Sequence, residues 1–279
     1  NDVWYLTASM VEYLGYKRGI AVLRHRVALT CCCRGLWLRP DVTTSTLLWG
    51  TIVAYGWNVQ SLEVRLGLSR WLARHAAAVG RLQHYGGTAG PAVALAGLQG
   101  GVLSALEVHF SHAFGLELAE AVAPLAQLGS SLTELVLESC SLSCIPPQLS
   151  ALSVLQKLDL ESNQGLGSAC KAAFGPLAGA TQLTQLRLKA CRLRRLPRQL
   201  SALASSLQHL DLANNQGLGD RVAVSSMRPL ETLVVLTCLD LTYCGLPCVP
   251  PQLSACTSLQ RLRLGTNNMG LAGHADFQP

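Results

Sequence analysis

The sequence predicts an α/β solenoid preceded by a small all-α module: a parallel β-sheet on the concave face, with a mixed helical and extended convex side. Three observations carry that expectation. The string L-x-x-L-x-L-x-x-C-x-L recurs from Leu132, Leu183 and Leu236, in steps of 51 and 53 residues. A second string, L-x-x-L-x-L-x-x-N-x-G-L-G, is interleaved from Leu155 and Leu207, with a partner running from Leu259 to Asn267. In the first 70 residues this leucine period gives way to helical spacing.

Each string is one coil. Leucines at its first, fourth and sixth positions face inward, and the last two show the period of two expected of a strand. A lone coil cannot bury such a ridge, so coils stack and lend their strands to one parallel sheet. At the ninth position, Asn163, Asn215 and Asn267 can bond the neighbouring turn through their amides, while Cys140, Cys191 and Cys244 pack as small thiols with a weak donor. Ile145-Pro146-Pro147 and Val249-Pro250-Pro251 predict an extended, polyproline-like return in the short coils. The longer coils have room for a convex-side helix, as over Ser168–Ala178 with Cys170, Phe174 and Leu177.

Degenerate copies reach further upstream. Leu103, Leu106 and Val108 precede Leu155, Leu158 and Leu160 by 52 residues, and a weaker short copy begins near Val79 and Leu82. The expected organisation is a helical module over 1–56, a linker and capping helix over 57–78, and eight coils in four pairs over 79–279. A start at Asn1 without Met and an end at Pro279 without a cap read as a fragment with a truncated C-terminus. These strings resemble the leucine-rich repeat family, in its intracellular type with coils of the form L-P-x-x-L-x-x-L. The resemblance covers the registered copies and implies a scaffold that holds another macromolecule.

Composition narrows the options. A hydrophobic content of 49% with 14% charged residues suits a leucine-lined solenoid and excludes disorder. The net charge is +6, and the densest basic group is Arg187, Lys189, Arg192, Arg194, Arg195 and Arg198. Acidic Glu134, Glu138, Asp159, Glu161, Asp211 and Asp240 interrupt any continuous basic stripe, which argues against nucleic acid. Eleven cysteines raise the question of disulfides. Position-nine cysteines two coils apart, however, stand about 9–10 Å from one another, beyond the ~7 Å a bridge tolerates. With no signal peptide visible, reduced thiols in a cytoplasmic or nuclear setting are expected, with a cytoskeletal or axonemal association as the alternative. Val42–Leu62 is uncharged yet interrupted by Asn58, Gln60 and Gly residues, so no membrane span is expected.

Near the N-terminus, Ile20, Leu23 and Val27 share a helical face that Cys31 continues, and Ser69 can cap a helix bearing Trp71, Leu72 and Val79. The stretch Val27–Leu38 followed by Ser45–Ile52, with Val27, Leu29, Cys31, Leu48 and Trp49, resembles the second half of an F-box. It departs from that pattern at Cys32 and Arg34 and lacks an opening Leu-Pro. The resemblance implies docking onto a Skp-family adaptor and cullin through Leu23, Val27, Leu48 and Trp49. A plain helical cap on the first coil is the competing reading.

No enzyme motif is present: there is no G-x-S-x-G, Walker loop, H-E-x-x-H or dinucleotide fingerprint, and no cofactor or metal is expected. His109-x-x-His112 is the nearest approach to a ligand pair. The expected function is substrate recognition for a cullin-type ubiquitin ligase, with a non-enzymatic interaction scaffold as the alternative. The protein substrate is expected on the concave face. Val136, Asp159, Arg187, Asp211, Asp240 and Arg263 form its central row, flanked by Lys157, Lys189, His209, Tyr243 and Arg261. Tyr243 is the expected anchor, because aromatic and arginine side chains dominate binding hot spots.

Overall fold

The protein is seen here in a computed structural model that describes residues 27–29, 52–55, 80–85, 103–109, 123–168, 171–219 and 224–269. It divides into two compact units, residues 1–136 and 137–279.

In the second unit the coils stack as the leucine period requires. Strands β6 (Lys157–Asp159), β7 (Gln185–Arg187), β8 (His209–Asp211), β9 (Cys238–Asp240) and β10 (Arg261–Arg263) pair in parallel, each with the next in sequence. Leu158, Leu186, Leu210, Leu239 and Leu262 stand opposite one another. All but the last are at most 2% exposed, each burial stabilising by roughly 2 kcal/mol. Leu262, on the last described strand, is 38% exposed.

In the first unit, β1 (Val27–Leu29), β2 (Ile52–Tyr55), β3 (Arg81–Tyr85) and β4 (Ala105–His109) form a parallel ladder of the same kind. Strand β5 (Glu134–Glu138) spans the division between the units, with Leu135 and Leu137 buried. Leu82 and Leu106, the degenerate copies, are buried in register as expected.

Two upstream strands correct the helical expectation at Val27–Leu29 and Ile52–Tyr55. Val27 lies on a strand, not on a helix with Ile20, Leu23 and Cys31. It pairs with Ile52, which pairs with Leu82, giving steps of 25 and 30 residues and then 24 to Leu106. Leu158, Leu186, Leu210, Leu239 and Leu262 show the same alternation, with steps of 28, 24, 29 and 23. V-A-L and I-V-A-Y are short apolar runs that periodicity alone cannot tell from buried helix. Stacking against a neighbouring strand satisfies their backbone groups and suits the β-branched Val27, Ile52 and Val53. The rest of the expected module, including Leu23, Leu48, Trp49 and the capping helix, lies outside the described residues.

The convex side also differs in detail. The short coils enter their return through Pro146, Pro197 and Pro250, whose φ and ψ near −60° and +130° are polyproline-like. They then tighten into 3₁₀ turns over Pro147–Ala151, Arg198–Leu203 and Pro251–Ala255. The expected long-coil helix is a single α turn, Gly165–Ser168, followed by a 3₁₀ segment, Lys171–Gly179. Pro176 inside that segment removes an N–H and prevents a regular α-helix, while Phe174 and Leu177 still bury themselves inward.

The turn after the sheet is where the two coil types lock together. Asn163, fully buried, accepts the N–H groups of Cys140 and Leu142 on Oδ1 at 3.0 and 3.1 Å. Its Nδ2 donates to the carbonyls of Leu137 and Leu160 at 2.7 and 2.8 Å. Asn215 repeats this set with Cys191, Leu193, Leu188 and Leu212, and Asn267 with Cys244, Leu246, Leu241 and Leu264. The cysteine thiols extend the network. Cys191 Sγ donates to Leu160 O, and Cys244 Sγ to Leu212 O, each at 3.2 Å.

Three glycines of the N-x-G-L-G strings are required by close approach to a neighbouring backbone. A Cβ on Gly165 would stand 2.6 Å from the carbonyl of Leu142 in the preceding coil, and one on Gly167 would collide with that of Arg192 in the following coil. Gly219 meets the Gly245 carbonyl in the same way.

Candidate functional site

Outward side chains of the second unit's strands form a charged row across the sheet. Arg187 lies between two carboxylates, with Nη1 2.8 Å from Asp159 Oδ2 and Nε 3.3 Å from Asp211 Oδ2. Arg263 Nη1 is 3.3 Å from Asp240 Oδ2, and beside the row Lys189 Nζ is 2.7 Å from Glu161 Oε1. The acids are set low and the arginines stand above them: Asp159 is 18% exposed, Arg187 51% and Arg263 65%.

The local chain explains why aspartate occupies these positions. The second carboxylate oxygen of Asp159, Asp211 and Asp240 accepts the backbone N–H two residues on, from Glu161, Ala213 and Thr242, at 2.9 to 3.0 Å. Each is a side-chain-capped turn that carries the chain off the strand. One oxygen of each aspartate therefore builds the turn, and the other is presented to the sheet face.

Electrostatics follow the burial. Burial pushes the Asp159 carboxyl up, more than the Glu161 N–H and Arg187 pull it down. Burial also raises Asp211, and the Asp240 charge opposite it in register adds to the effect. For Asp240 burial is outweighed by hydrogen bonds from Thr242 and by Arg263, so its carboxyl falls below the usual value. Burial disfavours the Arg187 charge, but Asp159 and then Asp211 outweigh it and hold the guanidinium up. The hydrogen bond from Lys189 to Glu161 holds that ammonium up as well.

Asp159, Arg187, Asp211, Asp240 and Arg263 are thus one row, with Lys189 beside it. Lys157 and Arg261 are exposed and His209 half-buried, and these three form no ion pair with a described residue. Val136 is half-buried on β5.

Tyr243 does not flank the row on a strand. It occupies the turn beyond β9 with φ at +57° and its side chain 44% exposed. The matching residues of the other short coils are Ser139 and Ala190, at +53° and +55°. A bulky side chain is uncommon in this left-handed region.

Of the expected adaptor-binding residues, Val27 lies on β1, while Leu23, Leu48 and Trp49 are outside the described residues. In the first unit the sequence reading missed an ionic cluster. Arg81 on β3 bonds Glu107 on β4 and, at 2.6 Å, Glu134 on β5. His109 Nε2 stands 3.5 Å from the same Glu107, which is only 8% exposed. Opposite charges on neighbouring outward strand positions were the available signal, hidden because β3 and β4 carry degenerate leucine strings. His112 lies outside the described residues. Among the described residues no three metal-ligating side chains cluster, and no helix is long and apolar enough to cross a membrane.

Comparison with known proteins agrees with this geometry. The Leucine Rich repeat family matches residues 204–221. Over 130 residues the chain is 31% identical to the volume-regulated anion channel subunit LRRC8A of Homo sapiens, and equally to those of Mus musculus and Rattus norvegicus. That match covers 46% of this chain and 15% of the channel subunit, so the chain matches only a small part of those relatives. Among solved structures, the leucine-rich repeat-containing protein LegL7 from Legionella pneumophila superposes with a TM-score of 0.53 at 17% identity, covering 94% of this chain and 88% of that one. A leucine-rich repeat protein of Leptospira interrogans matches with a TM-score of 0.42 at 20% identity, covering 71% and 57%. Stacked leucine coils and the asparagine ladder, with the repeat match over 204–221 and the likeness to LegL7, show the leucine-rich repeat fold.

Proposed function

We propose that this chain is a non-enzymatic interaction scaffold that captures a protein partner on the sheet face of its second unit. The observation that carries this reading is Tyr243. The repeat places Ser139 and Ala190 at the equivalent left-handed position, yet here an exposed aromatic follows a strand that carries part of a row of mixed charge. Coil stacking gains nothing from a tyrosine that is 44% exposed, whereas an interface gains a rigid amphipathic anchor. The row beside it offers a patterned partner charge complementarity, which sets specificity and orientation more than affinity. Buried, hydrogen-bonded thiols at Cys191 and Cys244 suit a reducing, cytoplasmic or nuclear compartment.

The narrower reading, a substrate receptor of a cullin-type ubiquitin ligase, needs a three-helix module near the N-terminus. Val27–Leu29 and Ile52–Tyr55 are strands in the rhythm of the repeats, and this weighs for the scaffold. Binding of a Skp-family adaptor to the full chain at micromolar concentration is the measurement that would restore the ligase reading.

The test of the scaffold is partner enrichment by proximity labelling with three forms of the full chain. Proteins enriched by the wild type should be lost with Tyr243→Ala and with the charge-reversed pair Arg187→Glu and Asp211→Arg. They should be kept with a convex-face change such as Ala202→Gln. Loss only with the convex-face change would place the partner elsewhere.

A further inference from the structure

Four arginines, Arg192, Arg194, Arg195 and Arg198, fall within seven residues of one short coil. In sequence they are continuous with Arg187 and Lys189, but the fold divides the group. Arg187 and Lys189 are on the sheet face, engaged with Asp159, Asp211 and Glu161. The left-handed residues Ala190 and Arg192, at +55° and +54°, then turn the chain away from the sheet. Beyond that turn Leu193, Leu196 and Pro197 point inward, and all four arginines are exposed. None of the four forms an ion pair with a described residue.

Nothing in coil construction calls for this charge. The other two short coils place Ser141, Ser143, Cys144 and Pro147, or Gly245, Pro247, Cys248 and Pro251, at the same four positions. The adjacent long coils present Gln164-Gly165-Leu166-Gly167 on one side and Gln216-Gly217-Leu218-Gly219 on the other, segments that carry no carboxylate; Asp220, next in sequence, lies outside the described residues. Gly167 abuts the Arg192 carbonyl, and Gly217 lies under the Arg194 side-chain stem, so these flanks are low and leave the guanidiniums open. Four like charges so close together, without an ion-pair partner among the described residues, repel one another, a cost that an anionic ligand would relieve.

We propose that this turn is a second binding surface, which takes a phosphorylated segment of a partner protein. All four cations are arginines, whose planar forks grip phosphate oxygens in pairs, where lysine offers only a point charge. The cluster is one coil wide, which matches one or two phosphoryl groups and not a polymer backbone tracked along the array. No aromatic lies among the four to stack a base, and no large exposed apolar side chain lies among them to enter a bilayer. This surface is independent of the reading given to the sheet face.

The experiment uses the full chain and a fluorescent peptide carrying two phosphoserines in a neutral Gly/Ala background, read by anisotropy at low and at physiological salt. The phosphopeptide is expected to bind at least about tenfold more tightly than its serine counterpart, and to weaken as salt rises. Arg194→Glu with Arg195→Glu should reduce that binding by about tenfold or more, and the milder Arg194→Gln with Arg195→Gln should do so to a lesser degree. Arg228→Gln, which removes an exposed arginine from another coil, should leave it unchanged. The glutamine pair guards against misfolding of the charge-reversed form. Equal binding of the serine peptide overturns the proposal, as does phosphopeptide binding that survives the Arg194 and Arg195 changes. Tighter binding to single-stranded DNA, or to vesicles containing phosphatidylserine, overturns it in favour of that class of partner.

Discussion

The backbone N–H of Cys191 donates to Oδ1 of Asn215 over 3.1 Å, joining a short coil to the long coil that follows it. The same asparagine takes the N–H of Leu193 and gives its own two protons to the carbonyls of Leu188 and Leu212. One side chain therefore satisfies four backbone groups where the chain leaves the sheet, away from water.

Replacing that side chain is expected to be severe. Asn215→Ala strands two buried N–H groups and removes a donor pair from two buried carbonyls, for an expected loss of about 3–5 kcal/mol. Asn267→Ala should cost clearly less, because Asn267 is half-exposed and water can replace its side chain. Urea unfolding of both variants checks the difference, and equal losses would contradict the assigned roles.

Cys191 and Cys244 impose an alkaline limit on stability. Burial pushes the folded thiols up to about 12 and about 11, while an unfolded cysteine titrates near ~8.5. Above that lower value the unfolded chain releases protons that the folded chain retains. The stabilisation is thus complete below about pH 8.5 and is lost as pH rises, by about 1.4 kcal/mol per pH unit for each thiol. Changing both to serine should flatten the alkaline limb of the stability curve. At neutral pH each serine should cost only about 1 kcal/mol, since Leu160 O and Leu212 O remain as acceptors. In native protein Cys144 and Cys248, which are exposed, should react with a thiol reagent well before these two.

Gly167→Ala and Gly219→Ala should each destabilise by about 1–3 kcal/mol, since the added methyl runs into the carbonyl of Arg192 or of Gly245 in the next coil. Gly175→Ala meets nothing within 4 Å and serves as the control. Thermal melts of the three variants decide whether close approach or chain freedom explains these glycines.

Tyr243→Asn is expected to separate stability from recognition. Asparagine tolerates the left-handed backbone at +57° better than tyrosine does, so the variant should gain up to about 1 kcal/mol. Partner capture should fall despite that gain. A variant that is less stable and binds normally would make Tyr243 a structural residue.

Arg187→Gln should change stability by less than about 1 kcal/mol, because the guanidinium is half-exposed and its pairing is screened by water. A calorimetric melt that drops much further would mean that the charged row holds the sheet together and does not primarily serve recognition.

The sequence by itself determined which residues face inward. Leucines at the first, fourth and sixth positions have nowhere else to go once coils stack, so Leu158, Leu186, Leu210 and Leu239 were legible from spacing alone. The asparagine at position nine was legible for the same local reason, and so was the outward direction of Asp159, Arg187 and Asp211. Tertiary structure decided what spacing does not encode. Which outward charges meet depends on register between strands 23 to 30 residues apart, so the pairing of Arg187 with both Asp159 and Asp211, and of Arg81 with Glu107 and Glu134, appears only after stacking. Val27 and Ile52 read as helix because three or four apolar residues fit either period; a neighbouring strand, which the local sequence cannot supply, made them sheet. The separation of Arg187 and Lys189 from Arg192, Arg194, Arg195 and Arg198 was equally invisible, because two left-handed residues at a single turn send adjacent parts of one basic run in different directions.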